Sequence, residues 1–394
     1  MDRRQLLQLG TATIGALSLE NTAFAQNAPA PAPAPAGFPL DVYSKHLQWL
    51  REPREIAKAI TDIGLQTVDL TVMPYPGHVD PVKVKTDLPV FANALAQNGV
   101  TVKAITCAIT DADSPNAEAI LDAASTAGIH YYSWGGFTYD LKQPYKPQLD
   151  ALKPRIARLV RLNQKYGMKA LYQPRRGKEN VGSVFFDLLG VLQGFDPRYV
   201  AFRYDTAALL QVSSDNLVNQ LRLGAPYIGG VALNDAVVRL ELPVWNEGPF
   251  AGEPRELLAP RGNGNNQGTS GGTWEAIGGG GIPLPYRFRP VQLGTGMINL
   301  TEIGATLKEI NFSGPAECQL EWSVGGAEAG ADKITVPRAE AMGLIKHGRL
   351  MVNQAFEGPW KTDINKPAFM RPNAAPEAAP DPNASLGTAL GLFG

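Results

Sequence analysis

Two cysteines and four histidines are all that 394 residues offer as thiolate or imidazole metal ligands. Cys107 and Cys318 lack the paired spacing of zinc sites and read as two buried thiols on separate strands, with a disulfide conceivable in an oxidising compartment. An excess of either charge is missing too. The 36 Lys and Arg stand against 37 Asp and Glu for a net charge of −1, which gives no electrostatic basis for binding nucleic acid or an anionic membrane. Nor is there the stretch of about 20 apolar residues that a membrane-spanning helix needs. The N-terminal candidate, LLQLGTATIGALSL, is shorter and runs into Glu20 and Asn21.

The N-terminus does contain a targeting pattern. Arg3 and Arg4 precede that short apolar stretch, and Ala23-Phe24-Ala25 forms a small-x-small cleavage site, so residues 1–25 read as an export signal peptide. The adjacent arginines followed by Gln5, Leu6 and Leu7 are similar to a twin-arginine signal. Asp2 and Gln8 depart from its usual flanks and keep a general secretory signal open. Either reading implies a periplasmic protein. Residues 26–37, an alternating Pro/Ala tract, suit an extended linker, and residues 361–394 form a second Ala/Pro-rich tail. Residues 38–360 remain, enough for one large domain with a single core.

Inside that domain a unit repeats. Short apolar runs each end in a polar residue: LDVYSKH (40–46), TVDLTV (67–72), VKAITCAITD (102–111), HYYSWGG (130–136), KALYQPR (169–175), VAFRYD (200–205), GGVALND (229–235) and AECQLEW (316–322). Amphipathic helical patterns such as REIAKAITDIG and PRIARLVRLNQKYG separate most of them. Eight strands alternating with helices predict a (β/α)8 TIM barrel, with its chemistry at the carboxyl ends of the strands. Residues 240–297 break the pattern as a long Gly-rich insertion after strand 7, a candidate lid carrying Trp245, Trp274 and Tyr286.

The polar residues at the ends of the runs are the candidates for chemistry. Asp205 and Glu321 interrupt otherwise apolar strands, where a carboxylate must face either the barrel mouth or a partner charge. Asn234, Asp235 and Asp111 also suit helix caps and loop turns. His46 and His78 are candidate general acids or bases, with packing beside Trp49 as the alternative for His46. Arg175 offers a planar fork for a carboxylate, a phosphate or an enolate oxygen, or a partner for Asp205 or Glu321; Arg176 equally suits solvent. Trp134 can stack on a sugar face or cap the core.

YSKHLQWL, VDLTV with GHVDP, VGS…DL, RYD, LEW and LGTGMINL together resemble the sugar phosphate isomerase/epimerase family of xylose-isomerase-like TIM barrels. The resemblance runs over about residues 40–355 without the insertion, and within the family it is clear to exported bacterial proteins of the SKHLQWL type. It implies a divalent metal (Mn, Mg, Co or Zn) on Glu, Asp, His and Glu of strands five to eight. The ion would bind vicinal oxygens of a keto sugar while a carboxylate moves a proton at the adjacent carbon. Asp205 and Glu321 match that pattern, whereas Gln173 stands at the fifth-strand position, Ala232 replaces the seventh-strand histidine, and Ala208 the histidine after strand six. The metal site is therefore depleted: Asp205 and Glu321, completed by Gln173 or His46.

The resulting expectation is an exported isomerase, epimerase or lyase acting on a keto sugar or 3-keto-glycoside. Glu321, Asp205, His46 and Lys45 would be catalytic, and His78, Trp134, Gln173, Arg175, Asn234 and Asp235 would bind substrate. A partner sugar dehydrogenase would supply the oxidised sugar. The alternative is a non-catalytic periplasmic carbohydrate-binding protein or subunit that has lost the metal. An endonuclease activity, known in the same superfamily, needs a His-rich cluster that four histidines do not provide.

Overall fold

The eight apolar runs pair as parallel strands. The computed structural model describes residues 38–213, 216–240, 275–277 and 284–356. The signal, the Pro/Ala tract, the tail from 361 and most of the insertion, including Trp245 and Trp274, lie outside the described residues, as does the side chain of Tyr286.

In chain order the strands are β1 (Asp41–Tyr43), β2 (Thr67–Thr71), β3 (Thr101–Thr106), β4 (Tyr131–Trp134), β5 (Lys169–Tyr172), β6 (Val200–Asp205), β7 (Ile228–Leu233), β8 (Asp235–Leu240), β9 (Glu275–Ile277), β10 (Leu284–Val291) and β11 (Ala316–Cys318). Strands β1 to β7 follow one another round a closed barrel, and β11 closes it between β7 and β1. The helices are α1 (Pro53–Asp62), α2 (Val84–Ala96), α3 (Ala117–Thr126), α4 (Tyr145–Tyr166), α5 (Phe186–Leu192), α6 (Thr206–Ser213), α7 (Leu217–Leu223), α8 (Leu300–Glu309) and α9 (Arg338–Ala355). Local chemistry sets several ends. Pro53 opens α1, where its missing N–H is no loss, and Gly167 at φ 61° closes α4 in the left-handed conformation that terminates helices. Buried Ile56 and Ile60 of α1, and Ile156 and Leu159 of α4, belong to the main apolar core. No helix among the described residues is long and apolar enough to cross a membrane.

Register decides what fills the barrel. Residues opposite one another in a ladder share a face, and alternate residues along a strand return to it. Asp69 lies opposite Tyr43 and Ala104, Arg203 opposite Gly230, Asp205 opposite Ala232, and Glu317 opposite Asp41 and Ala232. All of these therefore point inward. A small apolar cluster, Ala104, Tyr131, Leu171 and Ala201, forms the lower layer. Above it, where barrels usually stack branched apolar side chains, lie Asp69, Arg203 and Glu317, each at most 2 % exposed. The next residues up the same faces, Thr71, Asp205 and Gln319, reach the mouth.

The described part of the insertion is a three-stranded antiparallel sheet, β8-β10-β9, starting two residues after β7. Asp235 fastens its base. The carboxylate is fully buried and accepts from four backbone amides: Ala236 and Ile298 on Oδ1 at 2.9 and 3.1 Å, Gly294 and Gly296 on Oδ2 at 3.0 and 2.8 Å. A Cβ on Gly296 would come within 2.1 Å of Asp235 Oδ1, so the loop closes only with glycine there. This corrects the expectation of Asp235 as a substrate ligand. Its acceptor positions are used by the chain, and it does not line the cavity described next.

Candidate active site

A cavity of about 1540 Å³ opens at the carboxyl ends of the strands. Its lower wall carries Thr71, Gln173, Asp205, Asn234 and Gln319, and Phe288 and Pro290 of β10 bring the insertion over it.

The floor rests on a buried ion cluster. Arg203 donates Nη2 to Asp69 Oδ2 at 2.5 Å and Nη1 to Glu317 Oε1 at 2.9 Å. Asp69 Oδ1 has no partner among the described residues. Burial and the Asp69 charge push the Glu317 carboxyl well above its usual range, against the pull of Arg203. From Glu317 a line of amides climbs to the mouth. Gln319 Nε2 donates to Glu317 Oε1 (2.6 Å), Gln173 Nε2 to Gln319 Oε1 (2.8 Å), and Gln173 Nε2 also to Asp205 Oδ2 (2.7 Å). Asp205 Oδ1 accepts from the Ala208 amide at 2.7 Å, and Asn234 adds a further hydrogen bond. Burial raises the Asp205 pKa, while these donors and the Arg176 charge oppose the rise.

Glu321 is different. It stands exposed within the cavity and makes no hydrogen bond or ion pair to a described residue. The protein around it and the Asp205 charge raise its pKa; the charges of Lys45 and Arg176 partly offset that. A carboxylate with free lone pairs, a raised pKa and two cations nearby is equipped to take up a proton. Gly330, at φ +75°, leaves room for Lys45 and Gln48: a Cβ there would fall 2.8 Å from Lys45 Cγ and 2.3 Å from Gln48 Oε1.

The two expected histidines stand outside the cavity. His46 is 2 % exposed, with Nδ1 3.2 Å from the Ala327 carbonyl and Nε2 accepting from the Leu320 amide at 3.0 Å; burial pushes its pKa down to about 3. His78 is 8 % exposed, with Nδ1 2.9 Å from Thr71 Oγ1 and Nε2 3.4 Å from the Leu47 carbonyl; burial and the Arg51 charge lower it to about 4. Both rings tie loops to strands, and neither is placed for proton transfer. Trp134 lines the cavity but is 4 % exposed, edge-on to Phe137 and Tyr172 at 5.6 and 5.4 Å, so it packs the wall instead of offering a ring face. Asn234 lines it with its Oδ1 accepting from the Ala207 amide and Thr206 Oγ1. Both arginines line the cavity: Arg175 is exposed, while Arg176 lies over the Phe288 ring at 3.8 Å and its charge reaches Asp205 and Glu321. Arg203, Glu317 and Gln319 went unnoticed in the sequence, although their alternation with Asp205 and Glu321 was visible there.

The donor set does not fit a divalent ion. Among the described residues no three His, Cys, Asp or Glu side chains gather closely enough to hold one. His46 faces backbone groups, Gln173 turns its amide nitrogen on Asp205, and two cations act on the remaining carboxylates. Tight divalent sites need several anionic or imidazole donors converging on one point.

Among curated proteins none matches the chain in sequence. Solved structures share the fold at low identity. L-ribulose 3-epimerase superposes with a TM-score of 0.53 at 13% identity, covering 80% of this chain and 94% of that one. For 3-keto-D-glucoside 4-epimerase from E. coli the values are 0.51, 12%, 79% and 99%. For the IOLI protein, whose structure holds a zinc atom, they are 0.55, 13%, 82% and 100%. The sequence pattern of the xylose isomerase-like TIM barrel matches residues 57–336, and with the closed eight-stranded barrel this places the chain in that family.

Proposed function

We propose that this protein is an isomerase or epimerase, or a lyase, acting on a keto sugar or 3-keto-glycoside by proton transfer beside the carbonyl. The observation that carries the reading is Glu321, a carboxylate with no hydrogen-bond or ion-pair partner among the described residues, standing in a large polar cavity with its pKa raised and under the influence of Lys45 and Arg176. Glu321 removes the proton from the carbon next to the carbonyl. The ammonium of Lys45 and the guanidinium of Arg176 stabilise the negative charge that develops on the oxygen. Asp205, held by Gln173, Asn234 and the Ala208 amide, accepts from a substrate hydroxyl and fixes the sugar. With Glu321 giving up its proton to water, delivery of a proton from water to the opposite face of that carbon gives the epimer. Delivery to the former carbonyl carbon, with the hydroxyl proton passing between the two oxygens, gives the isomer. Expulsion of a substituent one carbon further, protonated by water as it leaves, gives the elimination product.

The epimerases of similar fold support a sugar substrate by analogy alone. The zinc of the IOLI protein makes a divalent ion the natural rival to this metal-free reading, and the residues of this cavity favour the latter. The N-terminal arginine pair and cleavage pattern support action in the periplasm, where a partner dehydrogenase would supply the oxidised sugar. The hydrogen bonds that hold each Asp205 oxygen in place favour one other reading, a carbohydrate-binding protein without turnover. Incubating the mature chain with ketoses and 3-keto-glycosides and following products by NMR separates the two. New epimer, isomer or unsaturated product supports the enzyme; line broadening of a sugar without any product supports the binding protein.

A further inference from the structure

The line of amides between the buried ion cluster and the mouth has a direction. A primary amide carries two N–H donors and one carbonyl acceptor, and a guanidinium only donates. Arg203 therefore obliges Glu317 to accept, Glu317 takes an N–H from Gln319, and Gln319 turns its oxygen toward Gln173. Gln173 in turn aims its nitrogen at Asp205 Oδ2. The second N–H of Gln319 points at Gln173 Oε1, 3.3 Å away. Both N–H groups of each amide are thus committed within the protein. What Gln173, Gln319 and Asp205 still present to the cavity they line is oxygen.

We propose that Gln319 is a positioning residue which, anchored on the Arg203–Glu317 ion pair, holds Gln173 and Asp205 as an acceptor-only wall that selects a substrate hydroxyl and rejects a carbonyl. This rests on the proton-transfer reading and adds an orientation to it: the hydroxyl lies against Asp205 and Gln173, and the carbonyl is left to Lys45 and Arg176. The substrate class is then a ketone bearing a free neighbouring hydroxyl. An analogue with that hydroxyl methylated or oxidised is excluded, because the wall has no proton to give it.

Three measurements test this. Side-chain amide exchange, read by 15N NMR and assigned with Gln173→Met, should show the Gln173 NH2 protected about a hundredfold or more over free glutamine. Gln319→Met removes the acceptor of one of the two N–H groups and should lower that protection about tenfold. For a hydroxyketone turned over by the wild type, Gln319→Met should raise KM about tenfold, the loss of one charge-assisted contact, while kcat changes less than about threefold. Ligand-detected NMR should show a sugar binding at least about tenfold tighter than its derivative methylated at the neighbouring hydroxyl. Unprotected Gln173 in the wild type, or unchanged protection and KM in Gln319→Met, would overturn the proposal, as would equal binding of the two sugars. If no keto sugar is turned over, the proton-transfer reading fails, while amide exchange and sugar binding still decide the wall.

Discussion

Replacing Arg203 by Met should destabilise the barrel by about 3–5 kcal/mol at pH 8, the usual cost of removing one partner from a buried ion pair and leaving the other uncompensated. Here two carboxylates are orphaned, Asp69 and Glu317, both at most 2 % exposed, and Asp69 Oδ1 already lacks a partner. The loss is a large part of the 5–15 kcal/mol that holds a typical domain folded. Its pH dependence follows from Glu317, whose pKa burial has raised and which the loss of Arg203 raises further. A carboxyl with a raised folded-state pKa contributes stability that is present below its unfolded value, about 4.3, and lost as pH rises through the folded value. Burial has already pushed Glu317 up to about 8 with Arg203 in place, so the deficit of Arg203→Met should barely differ between pH 5 and pH 8 and should grow only above the wild-type folded value. Arg203→Met combined with Asp69→Val and Glu317→Leu removes every charge and should recover most of the loss, since apolar replacement of a whole buried cluster is often neutral. Urea unfolding at both pH values, with the m-value checked for constancy, measures all of this. A deficit under about 1 kcal/mol at pH 8, or a triple variant no better than the single one, would refute the reasoning, because either result means that the charges are not confined in a dry interior.

His46 and His78, lowered to about 3 and 4, stay neutral when folded but bind protons when unfolded, so stability present above pH 6.5 should fall as pH drops toward 4, by about 1.4 kcal/mol per pH unit for each ring; His46→Gln should make unfolding less steeply pH-dependent by one proton. Arg176→Met should move the acid limb of the pH–rate profile upward, because the Arg176 charge holds the carboxyls of Glu321 and Asp205 down, whereas Arg175→Met should leave that limb in place; equal shifts would contradict the assignment. Asp235→Ala leaves four amides without their acceptor, two of them (Ala236 and Ile298) buried, and should cost about 3 kcal/mol, with early proteolysis at the base of the insertion as its signature.

The barrel was legible because each strand carries its own apolar run and each interval its own helical period. The eighth run misled in one respect. AECQLEW reads as a strand through Glu321, but β11 stops at Cys318, and the Leu320 amide donates to the His46 ring instead of a neighbouring strand. That same contact explains the histidines. Position along the chain puts His46 and His78 at the mouth, and backbone groups more than 20 residues away, at Ala327, Leu320 and Leu47, together with the Thr71 hydroxyl, decide that their rings turn from it. Arg203, Glu317 and Gln319 carried a readable signal. They alternate with Asp205 and Glu321 at the two-residue period of one strand face, so polar residues inside the runs counted as much as those ending them. The placing of Arg176 on Phe288 had no such signal, since it joins β5's loop to a strand more than 100 residues on.

The most direct test of a Glu321-centred, metal-independent site is hydrogen exchange at the substrate carbon. The protein, dialysed against a chelator, is incubated in D2O with a hydroxyketose, and the C–H signal beside the carbonyl is followed by NMR for wild type and Glu321→Gln. Deuterium entering with the chelated wild type, and at least about 100-fold more slowly with the variant, is the expected result. Exchange that stops on chelation and returns only with Mn²⁺, Co²⁺ or Zn²⁺, or that persists undiminished in Glu321→Gln, would contradict it.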